Sequence, residues 1–290
     1  MIGGPVVNGR GIVWGALLAY NTAMRFSSSH ADLLCWVERA VRGCRPIALR
    51  YFRSSSLRIE RKADQSPVTI ADRAIEERLR AQLVRAFPSD HILGEEFGGS
   101  QTATGTYWTI DPIDGTRAFS RGLPSWGMLV GRVDHGRATL GVCDFPALGV
   151  TLAVAPGVNA YERSGRRTHL LPRPRSVRSL KDATILHGGA RWWEPTVYAR
   201  GFTRLIRGCY LERAYGDCVG FLWALRGCAD AVIEYGVKPW DLVPFAALAH
   251  ATGRVLTDFS GQGNFSGPEV VMGHPAMARL VCRTLRSSSR

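Results

Sequence analysis

Nine residues near the middle of the chain, Trp108-Thr109-Ile110-Asp111-Pro112-Ile113-Asp114-Gly115-Thr116, constrain the backbone more tightly than any other stretch. The apolar run Tyr107–Ile110 has the composition of a short buried strand. Pro112 fixes φ and supplies no N–H, so the strand is expected to stop there. Gly115 permits a tight turn into a helix start, which leaves Asp111 and Asp114 on one side of the chain. Two hard oxygen donors so placed suit Mg²⁺, and the amides of Gly115 and Thr116 at a helix N-terminus suit an anionic oxygen.

Around this stretch the chain alternates helical and extended patterns. Leu33, Leu34, Val37, Ala40, Val41, Cys44 and Ile47 recur at helical spacing and predict a helix over 30–53, with Ser29 or Asp32 as its cap. A second helix is expected over 71–87, with Ile75, Leu79, Leu83 and Val84 inward and Pro88 at its end. Residues 128–133 and 139–142 predict paired strands around the turn Asp134-His135-Gly136. Further strands are expected over 149–155, 184–187, 231–234, 255–258 and 270–273, and helices over 221–226 and 242–252. Residues 163–181, rich in Arg, Ser and Pro, read as loop. Mixed elements of this kind imply layers of helix on sheet.

The net charge of +13 admits a nucleic-acid partner, or attraction of anionic substrates, or an Arg-rich composition alone. The only lysines are Lys62, Lys181 and Lys238, and the arginines run from Arg10 to Arg290 without gathering in a stripe, so no specific nucleic-acid binding is expected. Seven cysteines, odd in number and without a CxxC pair, make neither a disulfide framework nor a zinc site and fit reduced thiols in the cytoplasm. The apolar run 11–19 is too short to span a membrane, so no membrane partner is expected. Residues 1–27 are expected to be a poorly ordered extension.

Three other acidic points each have an ordinary explanation. Gly94-Glu95-Glu96-Phe97-Gly98 reads as a solvated turn. Asp241 in Lys238-Pro239-Trp240-Asp241 and Asp72 in Pro67-Val68-Thr69-Ile70-Ala71-Asp72 both read as helix caps. Asp114-Gly115-Thr116 by itself also makes a plain turn, and enzymes that phosphorylate their own aspartate carry paired acids too, though one residue apart.

Taken in order, Pro-Val-Thr-x-x-Asp, Gly-Glu-Glu, Trp-x-Ile-Asp-Pro-Ile-Asp-Gly-Thr and a distant Trp-Asp closely resemble the inositol monophosphatase family of lithium-sensitive, metal-dependent phosphatases. The resemblance covers roughly residues 30–280 and implies the fold: a layered α-β-α-β-α sandwich of the inositol monophosphatase and fructose-1,6-bisphosphatase type. It would form one domain over 28–290. A lobe over about 28–150 would carry Asp72, Glu95, Asp111 and Asp114, and a lobe over about 151–290 would carry Asp217, Glu234 and Asp241, with the site in the cleft between. It also implies a homodimer.

The same resemblance implies roles. Glu95, Asp111 and the carbonyl of Ile113 would hold one Mg²⁺, and Asp111, Asp114 and Asp241 a second, with Glu95 sharing in a third through water. Thr116, oriented by Asp72, would help Glu95 position the attacking water. The Gly115 and Thr116 amides would hold the phosphate, and Glu96 would support the site from behind. Without metal, such a cluster of carboxylates is expected to be strained or partly protonated.

Within the family, Tyr215-Gly216-Asp217-Cys218, followed by Glu234 seven residues before Asp241, looks more like the histidinol-phosphate phosphatases. Arg117-Ala118-Phe119 stands where inositol monophosphatases have Thr-Asn-Phe, and Asp144-Phe145-Pro146 where they tend to have Asn-Pro. Glu234 matches a position that meets the far end of the substrate, where a carboxylate takes an ammonium group or a sugar hydroxyl. Asp217 either adds to that negative wall or is structural, and Arg117 turns either to substrate or to solvent. His250-Ala251-Thr252-Gly253-Arg254, where the family usually has Glu-Ala-Gly-Gly, is expected to pack near the site.

The implied activity is Mg²⁺-dependent hydrolysis of a small phosphorylated metabolite, L-histidinol phosphate ahead of inositol 1-phosphate or another sugar phosphate. A non-catalytic basic binding protein on the same fold is the rival of a different class. It predicts a lost metal ligand, and none is lost.

Overall fold

The computed structural model describes residues 29–61, 67–102 and 104–287. The expectation for residues 1–27 lies outside them. Helix α1 (His30–Arg42) begins at Ser29, whose hydroxyl accepts the Asp32 N–H, and buries Leu33, Leu34, Val37, Ala40 and Val41. The single helix expected to run on to residue 53 is two. The chain breaks at Gly43 and Cys44 and resumes as α2 (Arg45–Tyr51), because Pro46 fits the first turn of a helix but not its interior.

Strands β1 (Ile59–Arg61) and β2 (Pro67–Thr69) form a small antiparallel pair leading into α3 (Ile70–Ala86). Ile75, Leu79 and Leu83 of α3 are buried. Val84, placed with them by the sequence reading, is 56% exposed, since one residue beyond Leu83 is a quarter-turn off the buried stripe.

The main sheet has eight strands, which in chain order are β3 (His91–Gly94), β4 (Gly98–Gly99), β5 (Thr106–Asp114), β6 (Gly127–Asp134), β7 (Arg137–Phe145), β8 (Val150–Ala155), β9 (Val158–Ser164) and β10 (Arg167–Leu170). Their spatial order is β10-β9-β8-β7-β6-β5-β3-β4, with β3 and β5 the parallel pair. β5 does not stop at Pro112 as expected. The pairing with β6 shifts register between Asp111 and Asp114, so the missing N–H of Pro112 falls in a bulge and costs no ladder bond. His135 and Gly136 turn the β6–β7 hairpin, both at positive φ (47° and 75°), as a two-residue turn of this hand requires. The sheet continues past residue 150, where the sequence reading places its lobe boundary. The expected loop over 163–181 begins instead with the β9–β10 hairpin. All four residues of β10 are exposed, so no alternation marked it.

After α4 (Thr116–Ser120), which follows β5, the second sheet is built from β11 (Thr184–His187), β12 (Leu211–Ala214), β13 (Ala231–Tyr235), β14 (Val255–Thr257) and β15 (Glu269–Gly273), in the order β12-β11-β13-β15-β14. The remaining helices are α5 (Ala199–Gly208), α6 (Asp217–Leu225), α7 (Pro239–Ala251) and α8 (Pro275–Arg286). The sequence reading did not anticipate α5, β12 or α8.

Three apolar clusters stack these elements into an α-β-α-β-α sandwich. Helices α1–α3 cover one face of the main sheet through Leu34, Ile75, Trp108 and Val130. Helices α6 and α7 lie between the sheets, where Phe221 and Phe245 stack with centroids 4.6 Å apart among Leu129, Leu152 and Met272. Helices α5 and α8 close the outer face of the second sheet through Phe202, Ile233 and Val281. Each such buried aromatic or aliphatic side chain contributes about 2 kcal/mol by leaving water. Gly141 in β7 lets α7 lie close on the sheet, since a Cβ there would collide with the backbone of Pro244. That approach brings the first turn of α7 over the end of β5.

Candidate metal centre

Three carboxylates meet where β5 ends and α7 begins. Asp111, 1% exposed, and Asp114 leave the bulged end of β5, and Asp241 leaves the first turn of α7. One oxygen from each lies within 4.8 Å of the other two. Asp241 is anchored by the Lys238 N–H, which donates to Oδ2 at 2.7 Å. Asp114 is anchored by the Cys218 N–H at the start of α6, which donates to its Oδ2. Asp111 Oδ1 is buried without a hydrogen-bond partner.

Burial, then the neighbouring charges of Glu95, Asp114 and Asp241, holds the Asp111 carboxyl well above the usual carboxylate range. Burial, then Asp217 and Asp241, does the same to Asp114. Asp241 is pushed up to about 7, chiefly by burial. Three crowded carboxylates, one with an orphaned buried oxygen, form an all-oxygen donor set that fits a hard divalent cation.

Glu95 stands just outside this triad. Its backbone N–H bonds the Ile110 carbonyl at 3.1 Å, and its charge reaches Asp72, Asp111 and Asp241. The loop that carries it is held from below by Glu76 of α3, a residue the sequence reading passed over. The buried Glu76 carboxylate accepts the N–H of Glu96 at 2.7 Å and of Phe97 at 3.3 Å, and Arg80 binds it at 2.8 Å. A side chain at Gly94 would overlap the Glu76 carboxylate.

Asp72 does two things. Its Oδ2 caps α3 by accepting the Thr69 N–H at 2.8 Å, and its Oδ1 lies 3.4 Å from the Thr116 hydroxyl. Burial pushes its pKa up to about 6. The Thr116 hydroxyl also reaches the Ile113 carbonyl at 2.9 Å. Gly115, which opens α4, has φ of 86°, and a Cβ there would come 2.6 Å from the Ser125 carbonyl, so only glycine fits.

From Asp114 and Asp241 a cavity of about 500 Å³ opens between the two sheets, walled by Arg117, Trp192, Tyr215, Asp217 and Glu234. Glu234 of β13 is 6% exposed, and its Oε1 has no hydrogen-bond partner. Gly188 and Gly216 press against its carboxylate, leaving no room there for side chains. Burial, then the charges of Asp217 and Asp114, raises Glu234 well above its usual range. Asp217, at φ 56° where α6 begins, is open to the cavity yet enclosed enough that desolvation raises its pKa, against the lowering charge of Arg117. Arg117 is exposed and lines this cavity, 5.0 Å from the Trp192 ring. The run 250–254 does not pack near the triad as expected. α7 carries Asp241 at one end and His250 at the other, and His250 and Arg254 line a separate groove of about 1080 Å³ beside Arg137.

Asp111, Asp114 and Asp241 meet, Thr116 and Asp72 contact each other beside them, and Asp217 and Glu234 line the adjoining cavity, whereas the Glu96 N–H bonds to Glu76. The residues missed, Glu76, Trp192 and the Cys218 amide, act through partners distant in sequence. Among the described residues, no helix is long and apolar enough to cross a membrane.

Comparison with known proteins agrees with this geometry. Residues 31–290 match the model of the inositol monophosphatase family. A histidinol-phosphatase of Mycobacterium tuberculosis is 36% identical over 244 residues, covering 84% of this chain and 93% of its own. A histidinol-phosphatase of Chlorobaculum parvum is 30% identical over 250 residues, with 84% and 93% covered. The solved structure of an inositol monophosphatase from Zymomonas mobilis superposes with a TM-score of 0.77 at 27% identity, covering 89% of this chain and 99% of that one. The chain belongs to the inositol monophosphatase family, and with it to the phosphoric monoester hydrolases.

Proposed function

We propose that the chain hydrolyses L-histidinol phosphate to L-histidinol and phosphate with Mg²⁺. The observation that carries the substrate is the buried, unpartnered Oε1 of Glu234 beside Asp217 in the cavity wall. A carboxyl wall whose pKa is raised by burial regains its charge against the ammonium group of an amino alcohol, and the charge-assisted hydrogen bonds so formed are ones a neutral polyol cannot match. The names of the Mycobacterium and Chlorobaculum relatives support the same reading.

Asp111, Asp114, Asp241 and the Ile113 carbonyl, with Glu95 alongside, would hold the metal. When bound, Mg²⁺ supplies positive charge that offsets the phosphate ester's and favours ionisation of water. The chain's own groups do the rest. Thr116 presents its hydroxyl to the attacking water, and Asp72 behind it takes up the proton that the hydroxyl relays. The amides of Gly115 and Thr116 hold phosphate oxygens at the opening of α4. Glu95 orients the water from its other side, held there by the Glu76-bound loop, with Glu96 in that same loop. Water oxygen bonds to phosphorus, the ester P–O bond breaks, and the departing alkoxide takes a proton from solvent. Glu234 and Asp217 keep the alcohol in line through its ammonium group.

The test is phosphate release from L-histidinol phosphate, myo-inositol 1-phosphate and an aryl phosphate at saturating Mg²⁺, by the wild type and Glu234→Gln. The expected result is a wild-type preference for L-histidinol phosphate that drops about tenfold or more in the variant, with a smaller loss on the aryl ester. Equal losses on both esters would remove Glu234 from recognition. A wild-type preference for the inositol ester would overturn the substrate.

A further inference from the structure

We propose that Trp192 is a specificity residue, a flat platform at the cavity mouth that stacks on a planar ring of the leaving alcohol. The inference rests on reading the cavity beside the carboxylate triad as the alcohol site, and it deepens that reading by naming the ring as the second recognised feature.

Trp192 lies at the end of a tight turn, Ala190–Trp192, just beyond β11. Its neighbour Trp193 is 1% exposed and stacks on Phe202 at 4.4 Å, so the core accounts for that indole. Trp192 is different. It is 47% exposed, yet it lines the cavity rather than the outer surface alone. An indole left half in water costs hydrophobic free energy unless something covers it. Its edge rests on Gly189, where a Cβ would lie 3.4 Å from the ring. The Arg117 guanidinium lies 5.0 Å from the ring centroid. Arg117 follows Thr116 in α4, so this cation–π contact ties the platform to the helix that opens at the phosphate site.

The ring is therefore held from one side by a residue adjacent to Thr116, and it shares a cavity with the carboxylates of Asp217 and Glu234. An alcohol bearing both an ammonium group and a flat heterocycle meets both features at once. A polyol ring can donate hydroxyls to the carboxylates but brings neither a positive charge nor a π face. Stacking on an aromatic face strengthens binding of a planar ring by about tenfold, and the gain falls in substrate binding because the ring is remote from the reacting phosphorus.

The experiment measures kcat and KM at saturating Mg²⁺ for three phosphate esters: L-histidinol phosphate, which has ring and ammonium, 3-phenylpropyl phosphate, which has a ring at the same distance from phosphorus and no ammonium, and O-phosphoethanolamine, which has the ammonium alone. The wild type is compared with Trp192→Ala, Trp192→Leu and Trp192→Phe. In the Ala and Leu variants the kcat/KM ratio of either ring-bearing ester to O-phosphoethanolamine is expected to fall about tenfold, through KM. In Trp192→Phe the ratio is expected to stay within about threefold of wild type. Leu keeps the apolar bulk without the π face, so a fall in both variants separates stacking from packing. Ratios that stay unchanged in Ala and Leu, whatever the overall activity, would overturn the platform. A wild-type preference for myo-inositol 1-phosphate in the substrate test of the proposed function would sink the histidinol reading, but the 3-phenylpropyl phosphate ratio would still judge Trp192.

Discussion

The backbone N–H of Cys218 donates to Oδ2 of Asp114, joining the start of α6 to the end of β5 across 104 positions of sequence. The bond fixes the Asp114 carboxylate within the triad. Asn at this position keeps the acceptor and removes the charge. Asp114→Asn is therefore expected to fold normally and to lose about a hundredfold or more in kcat/KM, with weakened Mg²⁺ binding by calorimetry. Its melting temperature in EDTA should equal or exceed that of the wild type, because one of three crowded carboxylates is gone. A loss of folding cooperativity in EDTA would show that Asp114 serves structure first.

Thr116 and Asp72 are placed to handle a proton, and neither belongs to the triad. Thr116→Val is expected to lower kcat about a hundredfold while Mg²⁺ affinity is retained, and Thr116→Ser to recover most of the loss. The measurement is kcat beside a Mg²⁺ titration of each variant. A fall in metal affinity that parallels the fall in kcat would assign Thr116 to holding the metal rather than the water.

The raised carboxyls of the site set a pH dependence in the metal-free protein. In the unfolded chain these aspartates ionise near 3.8, whereas in the folded chain Asp72 titrates at about 6 and Asp241 at about 7. Between those limits the folded state binds more protons than the unfolded state, so this group of residues makes stability fall as pH rises from about 4 to about 7. Mg²⁺ requires the ionised forms, so the rise in melting temperature that it causes should grow over the same range. Thermal melts with EDTA and with Mg²⁺ across this window check both slopes, and Asp241→Asn should flatten the EDTA slope. An EDTA slope in Asp241→Asn equal to that of the wild type would contradict the linkage.

Much of the site was legible because each of its acids lies in a short stretch with strong local constraints. Asp111 and Asp114 flank a proline before a glycine, and Gly115 does stand at positive φ. Asp72 and Asp241 were readable as helix caps, and they are caps, Asp72 with its other oxygen 3.4 Å from the Thr116 hydroxyl and Asp241 as a member of the triad. Other features depend on partners that sequence spacing does not reveal. Glu76 looks like a solvated helix residue, but it is buried because the loop 20 positions later donates its amides to it. β5 passes Pro112 because β6 shifts register opposite it, a property of the pair rather than of either strand. β10 and β12 have few buried side chains and so no alternation to read. α8 does carry a buried stripe of Met277, Val281 and Leu285 at helical spacing, interleaved with arginines, and the sequence reading overlooked it.

The central claim is that Asp111, Asp114 and Asp241 hold a divalent cation on which phosphate release depends. The most direct measurement is a Mg²⁺ titration of phosphate release from L-histidinol phosphate by wild type and Asp111→Asn, each first treated with EDTA. The wild type should be inactive without metal and recover fully with Mg²⁺, while Asp111→Asn, with an unchanged fold by circular dichroism, should stay at least about a hundredfold lower at every concentration. Appreciable release by the wild type in EDTA, or by Asp111→Asn at the wild-type Mg²⁺ optimum, would contradict it.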